Sequence, residues 1–354
     1  KQIAERQTTG QGLQTPEFAV VMAYTKHANV VELVDSDLPD AELLQQDLIN
    51  YFPVPLRERY RDAILAHPLR REIVATQVAN QMVNLSGISF DHRMTEDTGA
   101  SVVDVTRAWV VAREVLGFPA LWAEIDDLTG HVPLYIQLDL FLDCRKMAER
   151  STLWLLRHRR PPIDITAAVA QFRPGITALT TGLESVLGQR MRALVHSVEA
   201  SRLTANVPEG LAERAGVWPL LHTGFDLVEV AAAHEREVID VARVQWELFE
   251  ALDVGWLWDG ISTLPRSDRW QTQARSALRD DLLTALAELT TAVIESADGS
   301  VEQWIAQNER SVARAGAMNT EIRRAESFDL TTLSVALRQL RNLALTSVTP
   351  GTRF

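Results

Sequence analysis

Apolar residues recur at helical spacing along nearly the whole of this chain, and no run alternates at period two for long enough to make a strand. That pattern sets the expected fold class: all-α, a multi-helix bundle, because amphipathic helices bury their stripes against one another. Two helical subdomains are expected, and Pro161-Pro162 mark the division between them. Proline lacks the N–H that a continuing helix needs, and its ring restricts the residue before it. Residues 1–14 read as a polar, flexible leader containing Gly10 and Gly12. Residues 15–160 form the first subdomain. Residues 161–354 form the second, which closes in a three-helix bundle over Asp268–Glu295, Ser300–Met318 and Leu330–Thr346, separated by Ala297-Asp298-Gly299 and the polar stretch around Ser327.

Local signals place the earlier helices. Thr15-Pro16-Glu17 supplies a cap, a first-turn proline and a first-turn acid for a helix to about Val34. Asp37 and Pro39 start another, ending near Asn50. Two prolines break Tyr51–Pro55, and a short helix follows over Leu56–Ala66. Ile88–Thr98 is a short helix stopped by Gly99. Ser101 with Asp104 makes a loose capping box, and Gly117 ends that helix. Pro119–Leu128 is short again. Pro133 opens a long helix with Leu134, Leu138, Phe141, Leu142, Leu155 and Leu156 as its apolar stripe. It ends in Arg157-His158-Arg159-Arg160, read as cations complementing the helix dipole. Ile163–Phe172, Ile176–Leu203 and Pro219–Leu252 continue the pattern.

One stretch stands apart. In Leu69–Gly87 the apolar side is Val74, Val78, Met82 and Leu85, widened by Ala75, Ala79 and Val83. The other side carries Thr76, Gln77, Asn80, Gln81 and Asn84 and no charge at all. Solvated helix faces usually carry Lys, Glu or Arg. Uncharged amides suit a surface covered by something polar that satisfies them. Gln77, Asn80, Gln81 and Asn84 are therefore the candidate docking face; the alternative is an ordinary exposed face that happens to be amide-rich.

Composition excludes some functions. The net charge of −12 argues against nucleic acid, whose binding is driven by Lys and Arg on phosphate. The single cysteine, Cys144, rules out an intramolecular disulfide and a Cys-based metal site, and reads as a small packed residue. The longest uncharged run, Ile73–Phe90, is too rich in Asn, Gln, Thr and Ser to cross a membrane. A cytoplasmic protein without membrane or nucleic-acid partners is expected. The chain opens on Lys1 rather than Met, so a piece of a longer polypeptide is also expected.

Tests for catalytic motifs return little. Gly10-Gln11-Gly12 lacks a preceding strand and a third glycine, so no dinucleotide cradle is expected. No phosphate-binding loop occurs, His234-Glu235 lacks the second zinc-binding histidine, and no GxSxG elbow exists. Asp126-Asp127 and Asp280-Asp281 could hold magnesium in a free-standing, diphosphate-using helical enzyme, but neither is followed by a carboxylate one turn on. Asp126 and Asp127 read as a helix end, and Asp280 and Asp281 as a solvated helix side. Trp246, Trp256, Trp258 and Trp270 read as core or interface, and Lys26 as a solvated helix edge. No catalytic, cofactor-binding or metal residue is assigned. A non-catalytic scaffold binding another protein is the remaining alternative.

Several segments, in order, resemble the C-terminal region of large bacterial NAD-specific glutamate dehydrogenases. They are Thr15-Pro16-Glu17-Phe18-Ala19-Val20 to Ala23-Tyr24-Thr25-Lys26; Ser36-Asp37-Leu38-Pro39-Asp40, Tyr51-Phe52-Pro53 and Pro55-Leu56-Arg57-Glu58-Arg59; Leu69-Arg70-Arg71-Glu72-Ile73 through Val83-Asn84; and Thr98-Gly99-Ala100-Ser101 with Ala112-Arg113-Glu114. The likeness spans roughly residues 15–160 and thins beyond Pro161. It implies oxidative deamination of L-glutamate to 2-oxoglutarate and ammonia with hydride passed to NAD. In that family the catalytic lysine and nucleotide domain precede this region. The resemblance thus implies a helical segment that binds no cofactor itself and is inactive alone. Its partners would be the catalytic part of the same polypeptide and further copies in a homo-oligomer.

Overall fold

The computed structural model describes Arg6, Thr8 and residues 12–324 and 328–347. Most of the 1–14 leader and the separator at Ser327 lie outside the described residues. Among the described residues every regular element is an α-helix or a 3-10 turn, which makes the chain the expected all-α, multi-helix bundle. It divides into two compact units, Lys1–Pro174 and Gly175–Phe354.

In the first unit, α1 spans Thr15–Val34. Its cap position is Gln14 rather than Thr15, because the Glu17 carboxylate reaches back to accept the Gln14 N–H at 2.8 Å. Asp37 and Pro39 do not open a helix to Asn50. Extended Ala41 (φ −60°, ψ 129°) separates two 3-10 turns, Leu38–Asp40 and Glu42–Leu44, that precede α2 (Gln45–Tyr51). The helix expected over Leu56–Ala66 is also two pieces, α3 (Val54–Arg57) and α4 (Arg61–Leu65). Arg57 turns back to donate to Phe52 O at 2.8 Å and Asn50 O at 2.9 Å, closing the end of α2. Then come α5 (Arg70–Ser86), α6 (Phe90–Thr98), α7 (Val102–Val115), α8 (Phe118–Asp126) and α9 (Leu134–His158). α5 ends at Gly87, whose φ of 98° suits glycine alone. Ser101 caps α7 by accepting the Asp104 N–H at 3.1 Å.

α7 is the centre of this unit: ten of its fourteen residues are buried, and α1, α5, α6, α8 and α9 pack around it. Trp109 lies wholly inside and donates its indole N–H to Ser86 Oγ at 2.8 Å. The stripe expected to anchor α9 is rotated in its first turns. Ile136, Leu140 and Cys144 face inward, while Leu134, Leu138 and Leu142 are exposed. Gln137 fixes that rotation by donating to Ile125 O at 2.9 Å and to Thr129 Oγ1 at 2.9 Å. Pro161-Pro162 follow the end of α9, but apolar packing continues past them. Ile163, Ile165 and Phe172 are buried, and the Phe172 ring meets Trp154 edge-on at 5.5 Å.

The two units divide within α10 (Ile165–Val186), which runs through Pro174 where a break had been expected. Phe172 and Ile176, one turn apart, are both buried. Burial there outweighs the hydrogen bond that proline cannot make. In the second unit α11 is Gln189–Thr204. The single helix expected from Pro219 to Leu252 is three: α12 (Glu209–Leu221), α13 (Gly224–Ala233) and α14 (Val238–Ala251). The second break includes Glu235, whose φ is 52°. α15 (Gly255–Thr263) and α16 (Arg269–Ala297) lead to α17 (Val301–Gln307), α18 (Glu309–Arg324) and α19 (Leu330–Ser347). The helix expected over Ser300–Met318 is split at Asn308, whose amide donates to Trp304 O at 2.9 Å.

α16 is the long helix of this unit and packs with α13, α14, α15, α17 and α19. Glycines let α10 and α13 approach closely from both sides. A Cβ on Gly175 would sit 2.5 Å from Val228 Cγ2, and one on Gly224 would sit 2.6 Å from Ile176 Cδ1.

Candidate functional site

The uncharged face of α5 leads directly to the most buried charges in the first unit. Gln77, Asn80 and Gln81 are half-buried and Asn84 is exposed. Gln81 is engaged at both ends of its amide. Its Nε2 donates to Asp47 Oδ1 of α2 at 3.1 Å, and its Oε1 accepts from Arg113 Nη1 of α7 at 2.7 Å. Arg113 grips Asp47 with both terminal nitrogens, each at 2.8 Å, and donates from Nε to Glu114 Oε1 at 3.0 Å. Glu114 in turn accepts from Arg173 Nη2 at 2.9 Å. The guanidinium carbon of Arg113 lies 5.7 Å from the Trp109 ring centroid.

The Arg113 side chain is 2% exposed and the Asp47 side chain 8%. Burial opposes the Arg113 charge more than any other single influence. The hydrogen bonds and charge of Asp47, joined by Glu114, together exceed it and hold the guanidinium pKa above its ordinary value. Three helices distant in sequence are thus tied by one satisfied ionic group. Its donors and acceptors already face one another, so each polar group in it has a partner within the unit.

A second group joins Arg107 of α7 to Asp37 in the turn after α1, and Arg107 also donates to Ile163 O at 3.4 Å. Arg71 of α5 donates to Val34 O at 2.9 Å and Ser36 O at 2.6 Å, and pairs with Asp40. The Arg107 hydrogen bond, then its charge, hold the Asp37 carboxyl below the usual aspartate range. Together these contacts clamp the α1–α2 turn.

Sequence reasoning missed Asp47 and Arg113 as partners, although Arg113 stood in a segment of the resemblance. The available signal was a pair of arginines, Arg107 and Arg113, bracketing the apolar run 108–112 of one helix. Such charges must find partners when the helix is central.

The remaining candidates fall elsewhere. Lys26 is half-buried on α1. Asp126 and Asp127 are exposed at the end of α8, as the helix-end reading expected. Asp280 and Asp281 are half-buried rather than fully solvated, because Asp281 pairs with Arg341 of α19 and Asp280 with Arg279. Trp246 is buried, and Trp270 is 73% exposed. Arg159 of the basic run lies over the Phe172 ring at 5.1 Å and the Trp154 ring at 5.9 Å. Cys144 is buried, and that burial, with the Asp143 charge, pushes its thiol pKa far up.

The second unit holds an open cavity of about 560 Å³ with Trp246, Val301 and Ile305 in its lining beside Glu247, Glu250 and Glu302. No group of three or more His, Cys, Asp or Glu among the described residues is arranged to hold a metal ion. No helix among them is long and apolar enough to cross a membrane.

Comparison with known proteins gives a consistent result. Residues 10–342 match the family model described as glutamate dehydrogenase, C-terminal. An NAD-specific glutamate dehydrogenase of Pseudomonas aeruginosa is 35% identical over 98% of this chain, which covers 22% of that relative. One from Mycobacterium tuberculosis is 34% identical, again over 98% of the chain and 22% of the relative. A third, from Halomonas elongata, is 31% identical over 97% of the chain and 22% of the relative. The chain therefore spans about a fifth of the length of the curated relatives it matches.

Proposed function

Since this chain belongs to the glutamate dehydrogenase C-terminal family, we propose that it is the C-terminal helical segment of an NAD-dependent enzyme. The complete enzyme would convert L-glutamate, NAD and water to 2-oxoglutarate, ammonia and NADH. The segment's own task is structural: it packs on the catalytic part of the same polypeptide and contributes to contacts in a cytoplasmic homo-oligomer. NAD binds outside this segment, and the segment alone is inactive. The observation that carries this reading is the lopsided coverage, nearly all of this chain against a minor share of each relative.

The interior agrees with a supporting role. Its most buried charged group, Arg113 with Asp47 and Gln81, is closed upon itself. A catalytic acid or base would instead need reach to a reacting atom. On this reading the docking face of α5 is carried by Gln77, Asn80 and Asn84. Gln81 belongs to the same face but anchors it from below.

Two measurements test the proposal. Purified residues 1–354 mixed with glutamate and NAD should give no NADH, and the complete polypeptide should give it. NADH formed by the segment alone refutes the assignment. Gln77→Lys with Asn80→Lys, made in the complete enzyme, should weaken assembly or activity through two charges forced into a covered amide face. Unchanged assembly and turnover would remove that face from the interface.

A further inference from the structure

α1 is apolar on both sides, yet only one side is covered. Asn29 and Leu33 point into the first unit and are buried. On the opposite side Val20 is 50% exposed, Tyr24 72% and Val31 49%. With exposed His27 these residues follow a spacing of four, three and four, which is the seam along which another helix packs. Ala23 and Ala28 beside the seam are exposed as well, and their small side chains allow close approach. From Phe18 to Val31 the single Lys, Arg, Asp or Glu is Lys26, which lies off the seam. A helix exposed to water on one side carries charges there, and a helix apolar all round is enclosed. The open stripe is a line of exposed apolar side chains along one helix side rather than a scatter of single ones.

We infer that this seam is the seat of the polypeptide that precedes Lys1 in the complete enzyme, so that α1 is sandwiched between the first unit and the catalytic part of its own chain. The inference rests on the function proposed above. The argument for this occupant is the length of chain outside the structure: the matched region is 22% of each relative, so most of the relatives' length lies beyond it. Consecutive elements are usually neighbours in space. From residue 12 on, α1 is the first helix, and so it stands close to what comes before. A second open stripe, Leu134, Leu138 and Leu142 on α9, has no such adjacency to name its occupant.

The test uses the complete enzyme with the photoreactive residue p-benzoylphenylalanine in place of Tyr24. Irradiation should give a product that migrates as one polypeptide, and mass spectrometry should place the cross-link on a peptide upstream of Lys1. A cross-linked dimer would assign the seam to a second copy and overturn the inference. A cross-link within residues 1–354, or none, would overturn it too. Hydroxyl-radical footprinting of the unsubstituted enzyme covers the case in which the probe disturbs folding. Tyr24 should be oxidised at least tenfold more slowly in the native enzyme than in urea, and equal rates would sink the proposal. Glutamate-dependent NADH formation by the same unsubstituted preparation tests the proposed function separately, so failure of either reading is recognised for what it is.

Discussion

Removing Asp47 should cost this chain more stability than any exposed ion pair, and the amount follows from what is left behind. Arg113 donates four hydrogen bonds, and two of them end on the Asp47 carboxylate. Asp47→Ala leaves a guanidinium that is 2% exposed with only Gln81 Oε1 and Glu114 for partners. Breaking a buried pair from one side costs about 3–5 kcal/mol, and the Glu114 carboxylate that Arg113 keeps places this loss toward the lower end. With a urea slope of about 3 kcal/mol/M, the first unit's unfolding midpoint should fall by roughly 1–1.7 M. Two units preclude a single free energy for the whole chain, so circular dichroism in urea should be joined by hydrogen exchange on α7 amides, which locates the loss. Asp143→Ala is the control. Its Lys146 partner is 63% exposed, and such pairs contribute about 0–1 kcal/mol. Replacing both partners, Asp47→Leu with Arg113→Met, should cost less than Asp47→Ala alone, because no charge remains unpaired. The reasoning fails if Asp47→Ala shifts the midpoint no further than Asp143→Ala, or if the double variant is the least stable of all.

Two other perturbations probe different physics. The Asp37 carboxyl is held below its ordinary range, so its contribution is fully present above about pH 4 and is lost as pH falls through the lower, folded-state pKa. Arg107→Gln removes the cause, and acid titrations of unfolding for the variant should be flatter than wild type below about pH 4. In the second unit, Gly175→Ala drives a Cβ to 2.5 Å from Val228 Cγ2 and should destabilise by about 1–3 kcal/mol in thermal unfolding. Adding Val228→Ala to it should recover part of that loss by making room.

What the sequence could reveal divides along physical lines. Helical class is written locally, residue by residue in the 3.6 period, and Gly87, Ser101 and Gly117 punctuate it where short-range chemistry decides. Breaks at Ala41, Tyr60 and Asn308 were missed because the surrounding residues favour helix, and only packing around them selects the turn. Pro174 erred the other way: local chemistry argues for a stop, and burial of Phe172 and Ile176 overrides it. The same limit governs the amide face. An uncharged polar stripe on α5 is visible in one dimension, but Gln81 finds its donor and acceptor 32 and 34 residues away. No periodicity connects Gln81 to Asp47 or Arg113. The stripe therefore holds one amide, Gln81, already bonded inside the unit, and others, Gln77, Asn80 and Asn84, for which a covering partner is proposed. Charged reversal distinguishes them. Lysine at Gln81 would injure the isolated chain through Arg113, whereas lysine at Gln77 should injure the complete enzyme only.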